Sequence, residues 1–404
     1  MTNIETPGSA GHLSKGPEKM RPREVHKFEK ASGLLIAVAI LLGFAAANSP
    51  LSALYQAVHH APLHVGIGSL EINEPLIQWI NEGLLVLFFV LVGLEIKREL
   101  LEGHLATPRR AALPAVAAFG GMVAPAAIYV SLNWSNADAI QGWAIPTATD
   151  IVLVIGLLAL LGSRVPVGLK VFLTALAIFD DIGAVLIIAL FYGGELSFAP
   201  LILGGFGAAS LFALNRFQVA HPATYIIAGL ILWASMLKAG LEPALAGVLI
   251  ALAVPLRMSD HLRSSPLKET ERRLYPWGAL VVVPLFAFFN AGVVIDGEAV
   301  SRIFGPVSLG VLGGLFLGKQ FGVFAATWMA VRLGIGQLPE GVNWRQVYGA
   351  ALFAGVGFTM SLFITSLAFS DARLIASAKL AILGGSLLSA IAGSLVISWK
   401  WRRN

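Results

Sequence analysis

From residue 31 almost to the C-terminus, the chain alternates between long apolar runs and short polar breaks. A helix needs about 20 predominantly apolar residues to cross a hydrocarbon core of about 30 Å. Twelve spans of that kind can be drawn, at 31–47, 75–96, 111–132, 144–162, 171–192, 199–214, 222–237, 240–257, 276–294, 303–331, 347–369 and 375–397. The fold class this predicts is an all-α polytopic membrane protein. Residues 1–30 are polar, with Pro, Gly, Lys and Glu and no apolar core of the signal-peptide type, and read as a disordered tail. Residues 31–398 then form a single transmembrane domain, and 399–404 a short basic C-terminus. The loop at 48–74 contains an alternating piece, LHVGIGSLEIN, that reads either as a hairpin or as a plain surface loop.

Composition agrees. Of 404 residues 57% are hydrophobic and only 13% charged, against about 25% charged in soluble domains. The 43 glycines and 20 prolines suit helices that pack closely or break inside a bundle. With no cysteine, disulfide and thiol chemistry are excluded. The basic pI of about 9.5 does not point to nucleic acid, because of where the basic residues lie. With the N-terminus inside, 23 of the 28 lysines and arginines fall in cytoplasmic segments, 4 in outer segments and one, Lys319, within a span. That asymmetry predicts a multi-pass protein with both termini cytoplasmic.

Two spans are interrupted. One begins Ala144-Ile145-Pro146-Thr147-Ala148-Thr149-Asp150, and the other contains Phe353-Ala354-Gly355-Val356-Gly357-Phe358-Thr359-Met360. Pro lacks an N–H and Gly is flexible, so each can unwind, and unwound backbone at membrane depth must be buried in protein or line a cavity. One such break reads equally as a plain Pro or Gly kink with no site; two in comparable positions point to transport. Asp150 follows the first break, where a carboxylate offsets the partial positive charge of a half-helix N-terminus. Lys319 has apolar turns on both sides; it can offset half-helix C-termini, pair with an aspartate, or snorkel to the interface.

The sharpest feature is Leu173 to Phe191, LTALAIFDDIGAVLIIALF, with Asp180 and Asp181 at its centre. A charge at the bilayer midplane costs about 3 kcal/mol on insertion scales, so a chain that keeps two adjacent ones is using them. They point about 100° apart on a helix, and one can face a cavity while the other faces a neighbouring helix. Thr174, Ala177 and Ala184 form a small, partly polar stripe beside Asp181. A buried ion pair with Lys319 that merely ties helices together explains one aspartate, not both. A hard cation such as Na⁺ or Li⁺ wants oxygen ligands, which carboxylates, threonine hydroxyls and free carbonyls supply. If protons and that cation compete for the same carboxylates, each excludes the other and exchange follows. No Gly-rich loop ending in Gly-Lys-Ser/Thr is present, so ATP does not drive the cycle. An intramembrane aspartyl protease is the enzyme-class rival, but Ala177-Ile178-Phe179 precedes the aspartates where Gly-x-Gly-Asp is expected. A cation channel is disfavoured because adjacent carboxylates with a balancing lysine bind too selectively for fast conduction.

AIPTATD, LGSRVP, ALAIFDDIGA, FFVLVGLEIKREL, PLFAFFNAGV and GFTMSLFI together resemble the NhaA-type sodium/proton antiporters of bacterial inner membranes, over residues 31 to 397. The resemblance implies twelve helices in inverted repeats, with the fourth and eleventh broken and crossing. It implies a homodimer joined partly by a hairpin at 62–72, and no enzyme activity or cofactor. The activity it implies is electrogenic, pH-regulated exchange of cytoplasmic Na⁺ or Li⁺ for external H⁺, serving sodium extrusion and pH homeostasis. Asp181 then corresponds to the principal cation ligand and Asp180 to its neighbour paired with Lys319. Asp150 and Thr149 correspond to the residues at the helix crossing. Glu95, Arg98, Glu99, Lys268 and Glu271 match a cytoplasmic pH-regulating cluster, while Glu242, Arg272 and Tyr275 stand where the family has histidines. Gln320 follows the lysine where proline is common. None of the eight histidines falls in the carboxylate core.

Overall fold

The computed structural model describes residues 22–67, 70–193, 197–219, 221–257, 265–295 and 302–399. Most of the expected N-terminal tail, at 1–21, and the C-terminal residues 400–404 lie outside them. The first helix, α1, runs Pro22–Ala47, nine residues before the expected start of the membrane domain. The extension is polar yet anchored: Glu29 lies 4.0 Å from Lys170, and the Phe28 ring packs on Tyr275 with centroids 5.5 Å apart. The helix thus begins before the first apolar span, whose membrane-crossing length runs Lys27–Ala47.

A short helix α2, Ser52–His59, leads into the antiparallel strands β1, Pro62–Ile67, and β2, Leu70–Pro75, registered Pro62↔Pro75 through Ile67↔Leu70. Of the two readings of this loop, the hairpin holds. Then come α3, Leu76–Leu101, and α4, Pro108–Asn133. The first broken span is a 3₁₀ helix, Ala139–Thr147, followed by α5, Ile151–Leu161. Next are α6, Val167–Phe191, α7, Phe198–Arg216, and α8, Pro222–Ala239. After them come α9, Leu245–Ala253, α10, Pro266–Trp277, and α11, Val283–Asn290. The C-terminal part holds α12, Pro306–Gly313, α13, Lys319–Arg332, α14, Trp344–Ala354, α15, Phe358–Ala368, and α16, Ala372–Ser398.

Among the described residues eleven helices are long and apolar enough to cross a membrane. The expected eighth span, 240–257, instead carries α9, only nine residues long, or about 14 Å of helix. Left-handed Gly240 and then Pro243 delay its start, and the chain leaves helical geometry at Val254, just before Pro255. The outer helices bury only one side, as expected where the other faces lipid rather than protein. The broken span at 344–368 is the opposite case, with 94% of its apolar window buried; it runs through the middle of the bundle.

Two spans contain a single wide π-turn, Gly278–Val282 between α10 and α11 and Gly314–Gly318 between α12 and α13. Around the second, glycines recur every four residues and face α4. A Cβ on Gly318 would lie 2.6 Å from Pro125 Cα, and one on Gly314 2.6 Å from Pro146 Cβ. Only glycine permits that approach, and it brings the helix carrying Lys319 against both α4 and the first broken span.

Candidate functional site

The two interruptions meet inside the bundle. Helical geometry stops at Thr147 on one strand of the meeting and at Ala354 on the other, leaving 148–150 and 355–357 unwound. The unwound backbones bond to each other: the Asp150 N–H donates to the Val356 carbonyl at 2.7 Å. Asp150 caps α5, its Oδ1 accepting from the Leu153 N–H at 3.0 Å. Its Oδ2 accepts from the N–H and hydroxyl of Thr359, at 3.1 and 2.6 Å, in the first turn of α15. One buried carboxylate thus offsets the partial positive ends of two half-helices. Ser361 of α15 adds a bond from its hydroxyl to the Ile145 carbonyl at 2.7 Å.

Asp180 and Asp181 sit mid-way along α6, 1% and 2% exposed. Lys319 Nζ, with no solvent exposure, lies 2.5 Å from Asp180 Oδ2. Of the three readings for the lysine, pairing with an aspartate holds. The Thr149 hydroxyl lies 2.5 Å from the same carboxylate oxygen and 2.7 Å from the Ala354 carbonyl at the end of α14. The structure therefore joins Thr149, Asp180 and Lys319 into one buried network, with Asp150 and Asp181 their neighbours along the chain and Asp150 bonded separately to Leu153 and Thr359. Oδ1 of Asp180 and Oδ1 of Asp181 are buried with no hydrogen-bond partner. An orphaned buried acceptor costs about 1–3 kcal/mol, and more when charged. A hard cation or a proton would relieve such orphaned oxygens, and the other Asp180 oxygen already meets the Thr149 hydroxyl. Among the described residues no three His, Cys, Asp or Glu converge as they would around a resident metal. Next to Thr359 and Met360, Leu85, Phe88, Val282, Val283 and Phe286 enclose a cleft of about 10 Å³, no more than one water needs.

The proposed pH-regulating residues divide into two groups. Arg98 Nε donates to both Glu271 oxygens at 3.0 and 2.8 Å, and its Nη1 lies 2.5 Å from Glu99. Glu95 stands one turn from Glu99 along α3. Lys268 belongs elsewhere: its Nζ lies 2.5 Å from Glu102, which also accepts from Arg257 at 2.8 Å. These two cations hold the Glu102 carboxyl below the usual carboxylate range. Tyr275 packs on α1. Glu242 is not near this cluster. It follows α8 and its closest charged influence is Glu82, 13 residues or about 20 Å along α3 from Glu95. Sequence reasoning passed over Thr359, Ser361 and Glu102. The signal for the first two was present, as hydroxyls just after the Gly-x-Gly break; Glu102 had only its place in a charged loop.

Gln320 departs from the resembled pattern in a way the structure makes specific. Its Nε2 donates to the Phe316 carbonyl at 2.5 Å, and its Oε1 accepts from the Tyr348 hydroxyl of α14 at 2.6 Å. Proline at this position could make neither bond.

Residues 23–397 match the protein family described as Na⁺/H⁺ antiporter 1. The chain is 50% identical over 386 residues to the Na⁺/H⁺ antiporter NhaA of Rhodospirillum rubrum, covering 94% of this chain and 96% of that one. It is 48% identical over 372 residues to the Na⁺/H⁺ antiporter NhaA 2 of Saccharophagus degradans, covering 92% and 97%. Against the Na⁺/H⁺ antiporter NhaA of Pseudomonas fluorescens the identity is 50% over 378 residues, covering 93% and 95%. With a multi-pass helical bundle, two interrupted spans that meet, and a matched stretch that spans nearly the whole chain, the protein belongs to the Na⁺/H⁺ antiporter 1 family.

Proposed function

We propose that the protein is a secondary transporter that exchanges Na⁺, or Li⁺, for H⁺ at Asp181 and Asp180. The observation that carries this is the pairing of Asp180 with Lys319 at 2.5 Å, beside an Asp181 whose Oδ1 has no partner, where two broken spans meet. Asp181 takes the cation, with Asp180, Thr149 and carbonyls of the unwound segments as further oxygen donors. Asp150 balances the half-helix ends rather than carrying charge across. Release of Lys319 from Asp180 as the ion binds, and loss of protons from the pair, make cation and protons exclude one another. With two carboxylates and a lysine involved, more than one proton moves per Na⁺ and exchange is electrogenic. The sequence names of the relatives support Na⁺/H⁺ exchange.

The remaining reading follows the same logic. The short α9 and its flanks make an eighth crossing, so twelve crossings return both termini to the cytoplasm of a bacterial inner membrane. The segments from α4 to α6 and from α12 to α16 form inverted repeats, and the broken spans cross. The hairpin joins two copies in a dimer, and the Glu95–Arg98–Glu99–Glu271 and Glu102–Lys268 groups tune the pH response. In proteoliposomes, added Na⁺ should collapse an imposed pH gradient, and Asp181→Asn should abolish this while leaving a folded protein. Near-normal exchange in that variant would remove Asp181 from the site.

A further inference from the structure

We propose that the Tyr348–Gln320 hydrogen bond is a clasp that aims Lys319 at Asp180 and couples that aim to the cytoplasmic half of the second broken span. The inference rests on the exchange site proposed above but concerns residues outside it.

The lysine's direction is set by the turn before it. In a regular α-helix the Lys319 N–H would bond to Leu315, four residues back; here it reaches five back, to the Gly314 carbonyl. The extra residue rotates everything after it by about 100° relative to an unbroken helix, and such single wide turns mark functional positions. The wide turn is held open from one side only by glycine contacts with α4, where a Cβ on Gly318 would strike Pro125. On the other side Gln320 acts. Its carboxamide nitrogen donates to the Phe316 carbonyl inside the wide turn, and its carboxamide oxygen accepts from Tyr348. Gln320 is 4% exposed, which limits competition from water at its two bonds. The Tyr348 ring is fixed in turn: it stands edge-on to Phe324 of α13 at 5.7 Å, and Trp344 packs on the same ring at 5.8 Å.

Tyr348 lies six residues before Ala354, the last helical residue of α14, whose carbonyl faces the Thr149 hydroxyl. Any shift of α14 therefore moves both ends of the Asp180 environment, through Ala354 directly and through Tyr348, Gln320 and the wide turn to Lys319. The charged groups acting on Lys319 are Asp180 and Asp181, both from α6; α4 places Gly121 against it. Loosening the clasp leaves Lys319 and the Ala354 carbonyl less well placed, which weakens the several-oxygen site a Na⁺ ion needs more than the single oxygen a proton needs, so protons compete better with Na⁺ there.

Tyr348→Phe deletes only the hydroxyl, and Gln320→Met keeps the length of the side chain without its polar atoms. Each is measured for Na⁺-dependent exchange in proteoliposomes against pH. The expected result is an apparent KM for Na⁺ raised about fivefold, the effect of losing one net hydrogen bond. The activation profile should move to higher pH, and the rate at saturating Na⁺ should change less than KM. The double variant should be no worse than Gln320→Met alone, because both act through one bond. An unchanged KM and pH profile in both single variants, or fully additive effects in the pair, overturns the clasp, as does a change confined to melting temperature. Absence of exchange in the wild-type protein overturns the exchange reading and this inference together.

Discussion

Removing Lys319 tests the central ion pair most directly. Its side chain and that of Asp180 have no solvent exposure, and they stand 2.5 Å apart. Breaking a pair so buried by deleting one partner costs about 3–5 kcal/mol, because the charge left behind is uncompensated. At about 2 °C per kcal/mol for a chain of this length, Lys319→Ala should melt about 6–10 °C below wild type in detergent. Asp181→Asn removes no ion pair and supplies an amide of the same shape, so its loss should stay within about 1 kcal/mol. The comparison gains force from pH and from a second substitution. In Lys319→Ala the stranded carboxylate is relieved by taking up a proton, so the deficit is largest at alkaline pH and shrinks as pH falls. Lys319→Ala with Asp180→Asn leaves no stranded charge and should melt above Lys319→Ala alone. Intrinsic tryptophan fluorescence during heating, at pH 5.5 and 8.5, reads all four proteins. Equal melting temperatures for Lys319→Ala and Asp181→Asn at both pH values, or no recovery in the double variant, would refute the pairing as a source of stability.

Three further outcomes follow from the surrounding geometry. Thr359→Val leaves Asp150 Oδ2 with the Thr359 N–H at 3.1 Å but removes the hydroxyl bond at 2.6 Å; it should cost about 1–3 kcal/mol and slow exchange, and a wild-type rate and melting point would show that the two interruptions are held by other contacts. Gly318→Ala places a methyl 2.6 Å from Pro125 Cα and should lower the melting temperature by more than Gly205→Ala, where nothing lies within 4 Å; the reverse order would count against close packing at the wide turn. His59 Nε2 donates to the Phe289 carbonyl, 2.7 Å away, and burial holds its pKa below the ordinary value, with Lys379 and His60 adding to the effect. A histidine kept neutral in the folded state lends stability that is full above about pH 6.5 and lost as pH falls below it, so amides of α2 should exchange hydrogen faster at pH 5 than at pH 8 after correction for intrinsic rates, whereas His59→Gln should lose that difference.

The linear pattern already carried the class of fold, the two interruptions and the carboxylates. Each of these is a local property: apolar length against bilayer thickness, helix breakers inside a run, and charge where charge is costly. Motifs spread across the chain carried the family as well. Partners were another matter, since Lys319 and Asp180 are 139 residues apart and Thr359 and Asp150 209. Apart from what the family resemblance implies for Asp180, nothing along the chain says which acid meets the lysine, or that one aspartate caps two half-helices. The wide turn before Lys319 is likewise invisible in GLFLG, because it arises from how closely that stretch is pressed onto Pro125 and Pro146. Charge type could be read at Glu242 and Lys268, yet not their neighbours: Glu82 is the charged group acting on the first, and the second is bonded to Glu102. Hydrophobicity acts on each segment alone, whereas ion pairs and hydrogen bonds depend on which segments the packed bundle brings within 3 Å of one another.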